Sequence, residues 1–134
     1  MRHQDAQFYV SIKGVIIIDG KVLLLRKISG AWDLPGGRLS VDEAPKQCLI
    51  REIQEETGLN VSPGRLLHRW VRKRPDKIDV FLVSHLCSLT GSAPEPLVSG
   101  EHEEYGWFSL LDVAMLITSS GIRKSVQRAF RSLK

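Results

Sequence analysis

Apolar positions along the chain follow two rhythms, and the change of rhythm divides it into elements. Phe8 to Ile18 reads FYVSIKGVIII, rich in β-branched and aromatic residues, which predicts a strand. Asp19 to Lys21, DGK, is a hairpin turn signal, and Val22 to Arg26, VLLLR, is the returning strand. AWDLPGGRL follows, where Pro35, Gly36 and Gly37 allow only a loop with short extended pieces. From about Ala44 to Thr57 the spacing becomes helical, with Leu49, Ile50, Ile53 and Thr57 gathered on one core-facing side. Gly58 is the natural stop of that helix. At its start, Pro45 in the first turn leaves Ala44, a weak cap, or Asp42 further out. Gly64 to Arg74 and Lys77 to Leu89 predict a second pair of long strands, and Tyr105 to Leu110 holds a short one. Ser109 to Ile117 and Ile122 to Leu133 predict two C-terminal helices, the last with Val126, Ala129, Phe130 and Leu133 turned inward. Strands mixed with two or three helices make an α/β sandwich with a mixed β-sheet.

Composition keeps that picture and narrows the class. The chain has 134 residues, 43% hydrophobic and 25% charged, which suits one globular domain over residues 1–134. No repeat or long linker divides it. No apolar run approaches the roughly 18 residues of a membrane span. MRHQDAQ at the start carries no signal-peptide core, and Cys48 and Cys87 have no metal-ligand spacing. A reducing, cytoplasmic setting is expected. The net charge is +4, so a local acidic cluster runs against the global balance. A basic protein with one acidic knot suggests an anionic ligand bridged by a cation.

That knot is REIQEETGLNV, Arg51 to Val61. Glu52 and Glu55 are i and i+3, Glu52 and Glu56 are i and i+4, so the three carboxylates share an arc of the helix about 100° wide. Like charges so placed repel unless something positive sits between them. Oxygen ligands on a rigid helix suit magnesium, manganese or calcium. Arg51 can brace one carboxylate from the side. Gly36 and Gly37 can take positive φ and bring bare backbone close to a ligand. Carbonyls for a metal and N–H groups for phosphate then lie beside the carboxylate helix, pointing to magnesium-dependent phosphoryl chemistry.

Gly37 to Leu59, GRLSVDEAPKQCLIREIQEETGL, resembles the Nudix signature at every fixed position: G, five residues, E, seven residues, then REUxEExGU with U apolar. WDLPG before it and EHEEYGWFSL after it also resemble the family layout. Nudix proteins hydrolyse nucleoside diphosphates linked to another group. The resemblance implies the Nudix-type α/β/α sandwich and a divalent metal, magnesium with manganese as the alternative. It implies Glu52, Glu55 and Glu56 as metal and catalytic carboxylates, with the Gly37 carbonyl as a further ligand. Glu43 and Arg51 would orient them from behind. Glu103 or Glu104 would add a carboxylate from a later loop, and Arg26 and Gly36 would touch substrate.

The remaining candidates read more plainly. Trp32 and Trp107 are expected to pack rather than stack on a base, His68 and His85 to be structural, and His102 to lie on the surface. RWVRKRPDK, from Arg69, reads as the solvated face of a strand and turn, with an RNA-binding edge as the alternative. Three functions follow: a small-molecule pyrophosphohydrolase, an RNA 5′-end pyrophosphohydrolase, or a non-catalytic nucleotide-binding regulatory domain. The intact signature favours the first two. Pro75, sixteen positions after Leu59, resembles a mark of ADP-ribose hydrolases in the family, whereas the chain length is nearer that of MutT-like nucleoside triphosphate pyrophosphatases. A homodimer is allowed; a membrane partner is not expected.

Overall fold

The computed structural model describes residues 4–91, 95–96 and 102–133. Seven strands and three helices follow in the order β1 (Phe8–Ile18), β2 (Lys21–Lys27), β3 (Trp32–Asp33), β4 (Gly36–Arg38), α1 (Pro45–Thr57), β5 (Val61–Arg72), β6 (Asp79–Leu89), β7 (His102–Phe108), α2 (Leu110–Met115) and α3 (Ser120–Ser132). The strand order is β3-β2-β1-β6-β5, with β4 added to β1 and β7 to β2. β1 and β6 run parallel from Phe8 opposite Asp79 to Ile16 opposite Cys87, so the sheet is mixed. None of the described helices is long and apolar enough to cross a membrane.

The turns explain the strand limits. Asp19 and Gly20 have φ of 52° and 76°, the twist a two-residue hairpin needs between Ile18 and Lys21. β5 begins at Val61, before the expected Gly64, and accommodates Pro63 because it is the edge strand and its register slips between Pro63 and Leu66. It ends at Arg72 rather than Arg74, and β6 starts at Asp79 rather than Lys77. The Asp79 carboxylate ends both strands by accepting from the Arg74 N–H at 2.9 Å and from Lys73 Nζ at 3.1 Å.

Side chains alternate between two cores. On β1, Ile12 and Ile16 join Cys48, Leu49 and Ile53 of α1, while Val15 joins Val113 of α2 and Ile122, Val126 and Ala129 of α3. On β2, Leu23 and Leu25 face the first cluster and Val22 and Leu24 the second. Full burial of such a side chain contributes roughly 1.5–3 kcal/mol. The sheet is thus covered by α1 on one face and by α2 and α3 on the other, an α/β/α sandwich.

Two expectations for the helices need correction, and the open choice of N-cap is settled. Ile50 is 39% exposed, because Cys48, with Leu49, Ile53, Glu56 and Thr57, forms the inward face of α1 instead. Ala44, not Asp42, is the N-cap; the Gln47 side chain accepts from the Ala44 N–H at 3.4 Å, and Asp42 lies in the preceding turn with φ 63°. Leu133 is 56% exposed, since α3 ends at Ser132, just before it. Gly58 closes α1 as expected, with φ 75° and its N–H on the Gln54 carbonyl at 2.8 Å.

Candidate active site

The site begins where β4 passes the flank of α1. Gly36 has φ 141°, and a Cβ there would overlap the Ile12 carbonyl on β1. Its N–H donates to Glu56 Oε1 at 2.8 Å. Gly37 needs no positive φ, contrary to expectation. Its requirement is space, because a Cβ would overlap the Glu52 carboxylate. Bare backbone at both positions therefore lets two glutamates of α1 reach the strand. The Gly37 carbonyl has Cys48 Sγ at 3.8 Å.

Arg51 organises the outer carboxylates. It holds Glu43 bidentately, Nε to Oε2 at 2.7 Å and Nη2 to Oε1 at 3.0 Å. Its Nη1 reaches Glu52 Oε1 at 3.2 Å and Glu55 Oε2 at 3.2 Å. The guanidinium hydrogen bonds pull Glu43 down to about 2 and push Arg51 further up. Glu55 faces outward against Arg51, its side chain 56% exposed.

Glu56 lives in a different medium. Its side chain is 8% exposed, and burial pushes its carboxyl up to about 7; the Gly36 N–H and Lys13 pull it down, and Glu52 and Asp33 push it up. His102 Nδ1 lies 3.6 Å from Glu56 Oε2 with its own side chain 8% exposed, so His102 is not the surface residue expected. Across from Glu56, Lys13 Nζ donates to Asp33 Oδ2 at 3.1 Å, and Lys27 Nζ lies 3.5 Å from the same oxygen. Burial would raise the Asp33 carboxyl, but the two lysines outweigh it and hold it below its ordinary value.

One cavity of about 640 Å³ is lined by Glu52, Glu56, Gly36 and Gly37 together with the cations Lys13, Lys27, Arg38 and Arg72. Of the expected site residues, the fold brings Glu52, Glu56, Gly36 and Gly37 to this cavity and sets Glu43, Arg51 and Glu55 behind it. Arg26 and Glu104 do not line it. They pair with each other across β2 and β7. The Glu103 side chain lies outside the described residues. Lys13, Lys27, Asp33, Arg38 and Arg72 are cavity residues that sequence reasoning did not pick out, and His102 is one that it placed on the surface. One signal was present: Lys13 is the lone cation inside an apolar strand.

The other candidates pack. Trp32 meets Phe108 edge-on at 4.8 Å, and Trp107 lies against the α1 core. His85 Nδ1 is 2.9 Å from the Gly64 carbonyl, and His68 stacks on Trp70 at 5.2 Å beside Arg128. In the basic run, Lys73 is paired with Asp79 and Arg74 lies near the Tyr9 ring.

The donor chemistry suits a hard divalent cation: carboxylates Glu52 and Glu56 and the Gly37 carbonyl are all oxygen ligands. Among the described residues no three Asp, Glu, His or Cys side chains are yet gathered closely enough to hold one.

Comparison with known proteins agrees with this geometry. The NUDIX domain family model matches residues 10–129. A MutT-like protein of Streptomyces ambofaciens is 44% identical over 59 residues, covering 42% of this chain and 38% of that one. An 8-oxo-dGTP diphosphatase of Proteus vulgaris is 40% identical over 60 residues, 42% of this chain and 54% of that one. These matches thus span about half or less of the relatives' lengths. The crystal structure of a MutT protein from Methanosarcina mazei Go1 superposes with a TM-score of 0.79 at 28% identity, covering 98% of this chain and 99% of that one. With the family model spanning most of its length, and Gly37, Glu52 and Glu56 of the signature meeting at one cavity, the chain belongs to the NUDIX family.

Proposed function

We propose that the chain hydrolyses a diphosphate bond in a nucleoside diphosphate derivative, a nucleoside triphosphate or an ADP-ribose-like molecule, by water attack at phosphorus. One observation carries this reading: two glutamates of the signature helix open into a cavity that lysines and arginines also line. A polyanion needs the cations, and the carboxylates would repel it unless a divalent cation intervened. Glu52, Glu55, Glu56 and the Gly37 carbonyl would hold magnesium or manganese. The bound cation would neutralise phosphate charge and lower the pKa of a water.

The chain's own residues do the rest. Lys13, Lys27 and Arg72 bind phosphate oxygens. Arg51 and Glu43 fix the orientation of Glu52 and Glu55. One carboxylate of the helix accepts the proton of the attacking water. The test is a panel of nucleoside triphosphates, ADP-ribose and 5′-triphosphorylated RNA with magnesium, scored for phosphate or pyrophosphate release in heavy-oxygen water. Label is expected in a phosphate product. Label in the sugar would mean attack at carbon and would refute the mechanism. Preference for the RNA would move the function to 5′-end processing.

A further inference from the structure

The cations in and around the cavity fall into two groups. Lys13 and Lys27 meet Asp33, and Lys73 meets Asp79. Arg38, Arg72 and Arg74 have no ion-pair partner among the described residues. Asp79, beside Arg74, is already taken by Lys73 Nζ at 3.1 Å and by the Arg74 backbone N–H at 2.9 Å. Pairing along the sheet brings these arginines together. Arg72 pairs with Val80 and Val80 with Tyr9, so Arg72 and Tyr9 share one face of the sheet. Ser11, two residues beyond Tyr9 and on that face, pairs with Arg38. Ser11, Arg38 and Arg72 line the cavity, and Tyr9 stands just outside its lining.

The Tyr9 ring is 43% exposed and is shared by two guanidiniums. Arg38 lies over it at 4.1 Å from the centroid, and Arg74 is at 6.0 Å. A ring face holds a guanidinium in place without cancelling its charge. Two like charges beside one ring repel each other. The arrangement is the counterpart of the glutamates on α1: charge of one sign is collected where the protein supplies no partner of the other. Arginine's planar fork of N–H donors matches phosphate oxygens, and its weak hydration makes it easy to desolvate.

We infer that Arg38 and Arg74, held on Tyr9, form an outer anion site for a phosphate group that the substrate carries beyond the diphosphate bound in the cavity. The inference rests on the function proposed above and adds its substrate class: molecules with a further phosphate are preferred to those with a diphosphate alone. Arg38 joins the two parts, because it lines the cavity and also stacks on the ring. The further phosphate ends a polyphosphate chain or sits on a ribose. Both present the same group to the two guanidiniums.

The test uses the intact chain with magnesium, and titration calorimetry compares binding of inorganic tripolyphosphate and pyrophosphate. The native chain is expected to bind tripolyphosphate more tightly. Arg74→Gln should weaken tripolyphosphate by about ten-fold and pyrophosphate by less than about two-fold. Arg74→Lys, which keeps the charge and loses the fork, should fall between. Tyr9→Leu frees both guanidiniums and should weaken tripolyphosphate by about three-fold more than pyrophosphate, and Tyr9→Phe, which keeps the ring, should not. Turnover then locates the phosphate. ATP against ADP reads a polyphosphate chain, and 2′-phospho-ADP-ribose against ADP-ribose reads a ribose phosphate. Arg74→Gln should lower kcat/KM for the phosphate-bearing member of one pair and leave its partner unchanged. Unchanged tripolyphosphate binding in folded Arg74→Gln, or an equal loss for both inorganic ligands, would overturn the inference. If circular dichroism shows Arg74→Gln unfolded, the two Tyr9 variants decide by the same criterion. A selective tripolyphosphate loss in a chain that cleaves nothing would instead refute the catalytic reading and leave the outer site standing.

Discussion

Glu55 and Glu56 are adjacent on α1, yet their side chains are 56% and 8% exposed. Glu55 meets Arg51 in solvent; Glu56 meets a backbone N–H, a histidine and, across the cavity, a lysine already engaged by Asp33. A helical projection puts both on one acidic arc, but it has no depth coordinate. Depth decides the chemistry. The outer carboxylate lies in solvent against its arginine, whereas burial raises the inner one to about 7. A buried carboxylate so raised is a strong ligand for a cation and a poor neighbour without one. Like charges are thus tolerated on this helix by separating them: one side is neutralised within the protein, the other is left to be neutralised by what the cavity binds.

The comparison breaks if the two carboxylates behave alike in every respect. Glu56→Gln and Glu52→Gln should each lower turnover by about 10²–10⁴-fold in a folded protein. Glu55→Gln should lower turnover too, but without the stability signature of Glu56. Near-normal rates in all three variants would mean that the acidic face is merely solvated.

Stability against pH separates the pair further. The folded chain keeps the Glu56 proton up to about pH 7, whereas an unfolded glutamate releases it near 4.5. In chelator, stability should therefore fall as pH rises from about 4.5 to 7, by roughly 3 kcal/mol in total. Thermal melts across that range check it. Glu56→Gln should flatten the fall, and Glu55→Gln should not.

A smaller effect is expected behind the carboxylates. Arg51→Lys loses the bidentate grip on Glu43 and should reduce turnover by about ten-fold. Glu43 is held at about 2 in the folded chain, below its unfolded value of 4.5. Its contribution is present above pH 4.5 and is lost as pH falls through 2. The Arg51→Lys acid-unfolding midpoint should therefore move upward, as circular dichroism would report. Smallest of all, Gln54→Ala removes an exposed side chain off the acidic arc and should leave turnover within about three-fold.

Much of this was legible in the sequence because it was local. The Asp19-Gly20 turn, the Gly58 stop and the spacing of Glu52, Glu55 and Glu56 need only neighbours in the chain to be understood. What escaped was set by partners far away. Lys13 and Asp33 meet because β4 returns to β1 and β3 to β2, pairings too short to leave a periodic signal. His102 reaches Glu56 through β7 joining β2. Ile50 was assigned to the core by helical periodicity, but the closeness of Gly37 to Glu52 fixes the rotation of α1 and turns Cys48 inward in its place.

The most direct test of the proposed site is turnover of a nucleoside triphosphate by the native chain and by Glu56→Gln, each in excess chelator and after magnesium is restored. The native chain should show no hydrolysis in chelator and full recovery with magnesium or manganese, and Glu56→Gln should recover at most about one hundredth of that rate. Undiminished hydrolysis by the native chain after thorough chelation, or full recovery by Glu56→Gln, would contradict the assignment of the buried carboxylate cavity as a metal-dependent active site.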